Sequence, residues 1–183
     1  MTKYIALLRG INVSGQKLIK MDALRSSLDK LGYENIQTYI QSGNIVFESH
    51  ETDQKKLEGQ IHNNIEDTFG FDVPVIVRSK EEWTEIFSNN PFIIDRNEEI
   101  TKLYVTILAE EPGEENFKVL QDFHSGPEEF VKVGLNLYLF YVNGAGKSKL
   151  DHNTIERKLK VKGTSRNWKT TSKLMEMLDA PTL

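Results

Sequence analysis

The sequence predicts an α+β protein made of two ferredoxin-like βαββαβ halves with mainly antiparallel sheets. Three observations predict it. The first eighty residues read strand, helix, strand, strand, helix, strand. The same order of elements returns at an offset of about 98 residues, without repetition of residue identity. The strands at 4–8, 103–108 and 137–142 are apolar on both faces, whereas a sheet with one open face should alternate. Two-sided apolarity implies that the open faces are covered, for instance each sheet by the other half.

The elements follow in order. Tyr4–Leu8 reads as a strand and leads into the loop R-G-I-N-V-S-G-Q-K. Met21, Leu24, Leu28 and Leu31 recur at helical spacing, and Gly32 supplies a stop. Ile36–Gln41 and Asn44–Glu48 read as strands joined at Ser42-Gly43, a short hairpin signal. Leu57, Ile61, Ile65 and Phe69 mark a second helix closed by Gly70, and Val73–Val77 is a strand. A short helix with Trp83, Ile86 and Phe87 and a segment containing Pro91 form a linker at 80–100, between halves at 1–79 and 101–183. In the second half Leu103–Leu108 is a strand, and Phe117, Leu120 and Phe123 lie on a helix opened by P-G-E-E-N. Glu129–Val133 and Leu137–Val142 form a hairpin around Gly134. A helix with Leu150, Ile155 and Leu159, an extended piece at Thr164–Arg166, and an extra amphipathic C-terminal helix with Trp168, Leu174, Met175 and Leu178 complete the chain.

Composition narrows the chemistry. With 183 residues, 38% hydrophobic and 27% charged, the chain reads as ordinary globular protein. It has no cysteine, which excludes thiolate nucleophiles, disulfides and thiolate metal sites. The N-terminal apolar run is too short for a signal peptide, and no stretch approaches a membrane span, so a cytoplasmic location without membrane association is expected. The net charge of −4 is unevenly spread. Residues 81–129 carry thirteen acids and three bases, while 147–173 carry nine bases and two acids, Asp151 and Glu156. Such a basic segment in an acidic protein points to an anionic partner, a nucleic acid or a phosphorylated small molecule; the bland reading is a solvated face balanced by the acidic stretch.

The topology of a ferredoxin-like unit places the loop after the first strand beside the hairpin between the second and third. Arg9, Gly10, Asn12, Gln16, Lys17 and Lys20 should therefore gather near Gln41, Ser42 and Asn44. Backbone N–H groups, a guanidinium and an amide at a helix start are the parts of an anion cradle. That arrangement is similar to the phosphate loop of acylphosphatases, by position only. The alternative is a structural loop whose asparagines cap backbone groups. In the second half the same geometry gathers Lys147, Ser148 and Lys149 with Arg166, Asn167, Trp168 and Lys169, where Trp168 is either a stacking platform or core.

Other motifs carry less. Gly146-Lys147-Ser148 ends like a P-loop, but the first glycine of G-x-x-x-x-G-K-[ST] would fall on Tyr141, so the loop is too short to wrap a phosphate that way. The strand S-G-N-I-V-F-E-S lacks the aromatics of an RNA-binding sheet. His50, His62, His124 and His152 show no metal-ligand spacing, no Ser-His-Asp order stands out, and the paired glutamates read as turns. No metal, cofactor or catalytic residue is called for, and an enzyme is neither required nor excluded.

Y-I-A-L-L-R-G-I-N-V at 4–13, K-M-D-A-L-R at 20–25 and T-Y-I-Q-S-G-N-I-V-F at 38–47 resemble a bacterial family catalogued as domain of unknown function 1697. G-K-S-K-L at 146–150, I-E-R-K-L at 155–159 and R-N-W-K-T at 166–170 are similar to that family's second signature. The signatures fall on Arg9, Gly10, Asn12, Lys20, Gln41, Ser42, Gly43, Asn44, Ser148, Lys149, Arg166, Asn167 and Trp168. Ser14-Gly15-Gln16-Lys17 departs mildly from a G-G-K loop. The resemblance implies a small cytoplasmic bacterial protein with a duplicated ferredoxin-like fold, and no particular activity. Two functional expectations result: a binding module for a phosphate-bearing ligand, or a small hydrolase of phosphate or acyl-phosphate compounds with Arg9 as clamp and Asn44 orienting water. A third is a protein-interaction module using the acidic stretch.

Overall fold

A computed structural model describes residues 1–123 and 126–181; His124 lies outside them. The chain forms two compact units, one of residues 1–85 and 173–183, the other of residues 86–172. Each is a four-stranded antiparallel sheet with helices, in the ferredoxin-like arrangement.

In the first unit β1 (Thr2–Leu8), β2 (Glu34–Tyr39), β3 (Asn44–Ser49) and β4 (Val75–Ser79) pair in the order β2-β3-β1-β4. The helices α1 (Met21–Asp29) and α2 (Gln54–Phe69) cover one face. Asp53 caps α2 by accepting from Lys55 and Lys56 N–H, and Gly70 ends it in a left-handed conformation. Period-2 alternation along β1 sends Tyr4, Ala6 and Leu8 into a core with Ile45, Phe47, Leu24, Leu28, Leu57, Ile61 and Ile65. Ile5 and Leu7 point the other way and are buried too, so both faces of this strand are covered. On that second face Lys3 Nζ donates to Ala180 O at 2.7 Å, holding the C-terminal segment in place.

Several strand boundaries differ from the periodicity by one or two residues, β2 running Glu34–Tyr39 and β7 Asn136–Phe140. Strand β4 begins at Val75, not Val73, because it pairs with β1 from Leu8↔Val75 to Tyr4↔Ser79, and Pro74 has no N–H to extend the ladder. The β2–β3 connection spans Ile40–Gly43 in place of a two-residue turn. It bends through Ile40 at φ 51° and Gly43 at φ 85°.

The second unit repeats the plan. Strands β5 (Leu103–Leu108), β6 (Glu129–Val133), β7 (Asn136–Phe140) and β8 (Gly163–Asn167) pair as β6-β7-β5-β8. Helices α5 (Glu114–Phe123) and α6 (His152–Leu159) pack on the Leu108, Leu137 and Leu139 face through Leu120, Ile155 and Leu159. Helix α3 (Lys80–Ser88) carries the chain out of the first unit, and α4 (Pro91–Ile94) and α7 (Trp168–Asp179) complete the element order. Within this unit the opposite face is also covered. Tyr138 donates to Ile86 O at 2.8 Å, Phe92 packs on Phe140, and Trp168 stacks on Phe87 with ring centroids 5.7 Å apart. Residues 86–94 thus close a face that the sequence left apolar. None of the helices among the described residues is long and apolar enough to cross a membrane.

Candidate functional site

The loop after β1 and the β2–β3 turn meet at one end of the first sheet, and they meet through backbone. Leu8 N–H donates to Gly43 O at 2.8 Å, and Asn12 Nδ2 donates to Gln41 O at 2.8 Å. Asn12 also donates to Ile19 O and accepts from Ile19 N–H, stapling the loop 12–19 shut. Asn44, fully buried, donates to Tyr39 O and Ser42 Oγ, both at 3.0 Å. Three of the loop's backbone donors are used in the same way: Arg9 N–H on Pro74 O, Asn12 N–H on Lys17 O, Gln16 N–H on Val13 O. The Asn12 and Asn44 amides thus close the loop and the turn.

Several side chains remain outward here. Lys20 and Gln41 are exposed, Arg9 and Ser42 are half-buried, and Lys17 Nζ donates to Asp72 O. Left-handed backbone is concentrated in the same place, with Asn12, Ser14, Lys17 and Ile40 at positive φ beside Gly10, Gly15 and Gly43, where glycine takes it freely. A β-branched residue such as Ile40 rarely adopts that conformation, and the surrounding hydrogen bonds hold it there.

In the second unit the predicted cluster divides. The loop from Tyr141 to Asp151 folds on itself. Gly144 N–H donates to Tyr141 O, Lys147 N–H to Gly144 O, Ser148 N–H to Ala145 O, and Leu150 N–H to Ser148 Oγ. Tyr141 OH closes the loop by donating to Leu150 O at 2.7 Å, and burial raises the phenol well above its ordinary value. These bonds consume the N–H groups that a phosphate loop keeps free. The side chains of Lys147 and Lys149 point outward and line a cavity of about 420 Å³ with Phe123, Pro127, Glu128 and Leu150.

Arg166, Asn167 and Trp168 are engaged elsewhere. Alternation along β8 directs Arg166 to the covered face, where it is buried and donates to Thr164 Oγ1 and Ser165 O. Burial lowers its pKa to about 10. Asn167 Oδ1 accepts from Thr170 N–H, capping α7. Trp168 is 2% exposed, within the Phe87 and Tyr138 cluster.

Ion pairs are sparse in the basic segment, where Lys173 pairs with Glu176. Arg25, Lys55, Lys56, Lys80, Arg96, Lys102 and Lys132 each form an ion pair with a carboxylate. Among the described residues, Lys147, Lys149, Arg157, Lys158, Lys160, Lys162 and Lys169 form none. The two acids in their midst are committed to backbone: Asp151 caps α6 through Thr154 N–H, and Glu156 accepts from Gly163 N–H at 2.8 Å. Lys158 lies over the Phe123 ring, 4.6 Å from its centroid.

Two groupings escape a reading by motif. Phe123 continues the helical spacing of Phe117 and Leu120 and so looks like core, yet it is 36% exposed and lines the cavity. Its place at the very end of α5, ahead of Gly126-Pro127, was the available signal. His152 Nδ1 lies 2.9 Å from Ser165 Oγ, which is 2.6 Å from Thr106 Oγ1, and His152 Nε2 is 3.5 Å from Glu156 Oε1. The α6 to β8 packing and the β5–β8 pairing, Thr106 opposite Ser165, bring these groups together. Among the described residues, no group of three or more His, Asp or Glu is placed to hold a metal ion.

None of the curated proteins compared with the chain matches it. Among solved structures it is similar to the conserved bacterial protein SP0830 from Streptococcus pneumoniae, with 25% identity and a TM-score of 0.75 over 97% of this chain and 99% of that one. A family model, described as a protein of unknown function, matches residues 1–138 and stops short of the strings at 146–170. The chain belongs to that family, DUF1697.

Proposed function

We propose that the protein is a binding module for a phosphate-bearing ligand, and that nucleic acid is the ligand its second unit favours. One observation carries the reading: among the described residues, seven exposed or half-buried cations between Lys147 and Lys169 form no ion pair, and the two carboxylates among them accept from the backbone N–H groups of Thr154 and Gly163. A run of cations without carboxylate partners leaves this segment at a positive potential that attracts an outside anion. The cations are distributed over a loop, a helix end and a strand approach, as a polyanion requires, not focused on one point. The test is electrophoretic or anisotropy binding to short oligonucleotides across a salt series. Affinity should fall with a log–log slope of roughly 0.7 per phosphate contacted on a single strand. Lys147→Gln with Lys149→Gln should flatten that slope by about 1.4. Binding that is absent at low salt, or indifferent to salt, would overturn the reading.

A specific contact favours one further reading, a small hydrolase. The hydroxyl of Ser165, half-buried at the edge strand, lies within hydrogen-bond reach of an imidazole that a carboxylate approaches from the other side. This replaces the clamp formed by Arg9 and Asn44, since Asn44 has its amide committed to the turn. Labelling by a fluorophosphonate that Ser165→Ala abolishes would support it. Absence of labelling in the folded protein would remove it.

A further inference from the structure

We infer that the cavity lined by Phe123, Pro127, Glu128 and the β7–α6 loop seats an unpaired nucleobase, so that the second unit selects single strands over duplexes. The inference rests on the nucleic-acid reading above and names what that site recognises. Every described residue lining the cavity belongs to the second unit, and its volume of about 420 Å³ lies in the range of small-molecule sites, roughly 300–1,000 Å³.

The walls divide by chemistry. Phe123, Pro127 and Leu150 supply an aromatic ring and apolar surface, Lys147 and Lys149 supply positive charge, and Glu128 supplies an acceptor. An inorganic anion has no use for the ring, and an apolar ligand has none for the lysines. A planar heterocycle joined to a phosphate uses all of them. The base lies on or against Phe123, its phosphate falls between the two ammonium groups, and a base N–H or ribose hydroxyl donates to the Glu128 carboxylate. Lys158 over the Phe123 ring holds that side chain in place and adds a third cation nearby. A base within a duplex offers only its edge and cannot enter.

Phe123 ends α5, and at Gly126 a Cβ would strike the Glu128 carboxylate. The glycine thus lets Glu128 fold back into the cavity wall.

The experiment compares three ligands of equal phosphate number at one low salt concentration: a single strand, the same strand without bases, and a duplex. The single strand should bind roughly 5- to 100-fold more tightly than the abasic strand, the range expected for one base stacked on an aromatic side chain. Phe123→Leu should remove that advantage and leave abasic-strand affinity unchanged, and Phe123→Tyr should restore it. Equal salt-dependent affinity for all three ligands would overturn this inference and leave the electrostatic reading intact. No binding to any of the three would overturn both. A Phe123→Leu protein that keeps its circular dichroism and its preference for bases would overturn the assignment of the ring.

Discussion

The closest backbone approach at the first unit's loop end is at Gly43, and its substitution tests the geometry there. In Gly43→Ala the new Cβ would lie 2.5 Å from Leu8 Cβ, at a residue whose φ is +85°. A left-handed conformation costs an L-residue roughly 1–2 kcal/mol. The overlap is between two atoms fixed to backbone, so it is relieved only by moving β1 away from the turn, at about 1–3 kcal/mol for an overpacked site. That movement stretches the 2.8 Å bond from Leu8 N–H to Gly43 O, worth about 1 kcal/mol. The total is on the order of 4 kcal/mol. Gly15→Ala is the control, because Gly15 has φ +73° and nothing within 4 Å of a new Cβ. It should lose only the conformational part, about 1 kcal/mol. Urea unfolding in a Trp168→Phe background lets the buried Trp83 report the unit that carries both glycines. With a slope near ~2 kcal/mol/M, the midpoint should fall by about 2 M for Gly43→Ala and about 0.5 M for Gly15→Ala. Equal shifts for the two variants would refute the close approach as the reason for glycine at 43.

Three other predictions follow from named contacts. Asn12→Asp keeps the acceptor for Ile19 N–H and loses the donations to Ile19 O and Gln41 O, so it should cost about 2 kcal/mol and raise hydrogen exchange in residues 12–19; unchanged exchange would count against the staple. Burial, then the Glu51 carboxylate, pushes Tyr33 up to about 12 from the ordinary 10. Its neutral form therefore contributes stability that is fully present below pH 10 and is lost as pH rises towards 12. Tyr33→Phe should flatten the alkaline loss measured by urea midpoints across that window, and an unchanged slope would assign the loss to other groups. Glu156→Leu strands Gly163 N–H and should destabilise by roughly 1–3 kcal/mol, read as a lower thermal midpoint; a neutral result would show that the bond is not needed to dock α6 on β8.

Local pattern determined the element types, their order, both core faces and the charge contrast, because helix and strand periods and residue charge are properties of neighbouring positions. Lys147 and Lys149 were legible as an outward basic pair for that reason, and Asn12 as a partner of the 41–44 turn, since strand order alone puts those loops together. Whether a side chain faces solvent or core depends on register and turn conformation, which local spacing does not reveal. Arg166 is identical in charge to its neighbours, yet alternation along an edge strand sends it into the covered face. Asn12 and Asn44 have the chemistry of ligands and are instead committed to carbonyls brought near by the strained turns. Phe123 has the spacing of core and is left half-open where its helix ends. Tertiary structure decided these cases because hydrogen-bond partners and burial are set by segments distant in sequence, and so it converted two expected loop clusters into a closed tip and a cation-lined cavity.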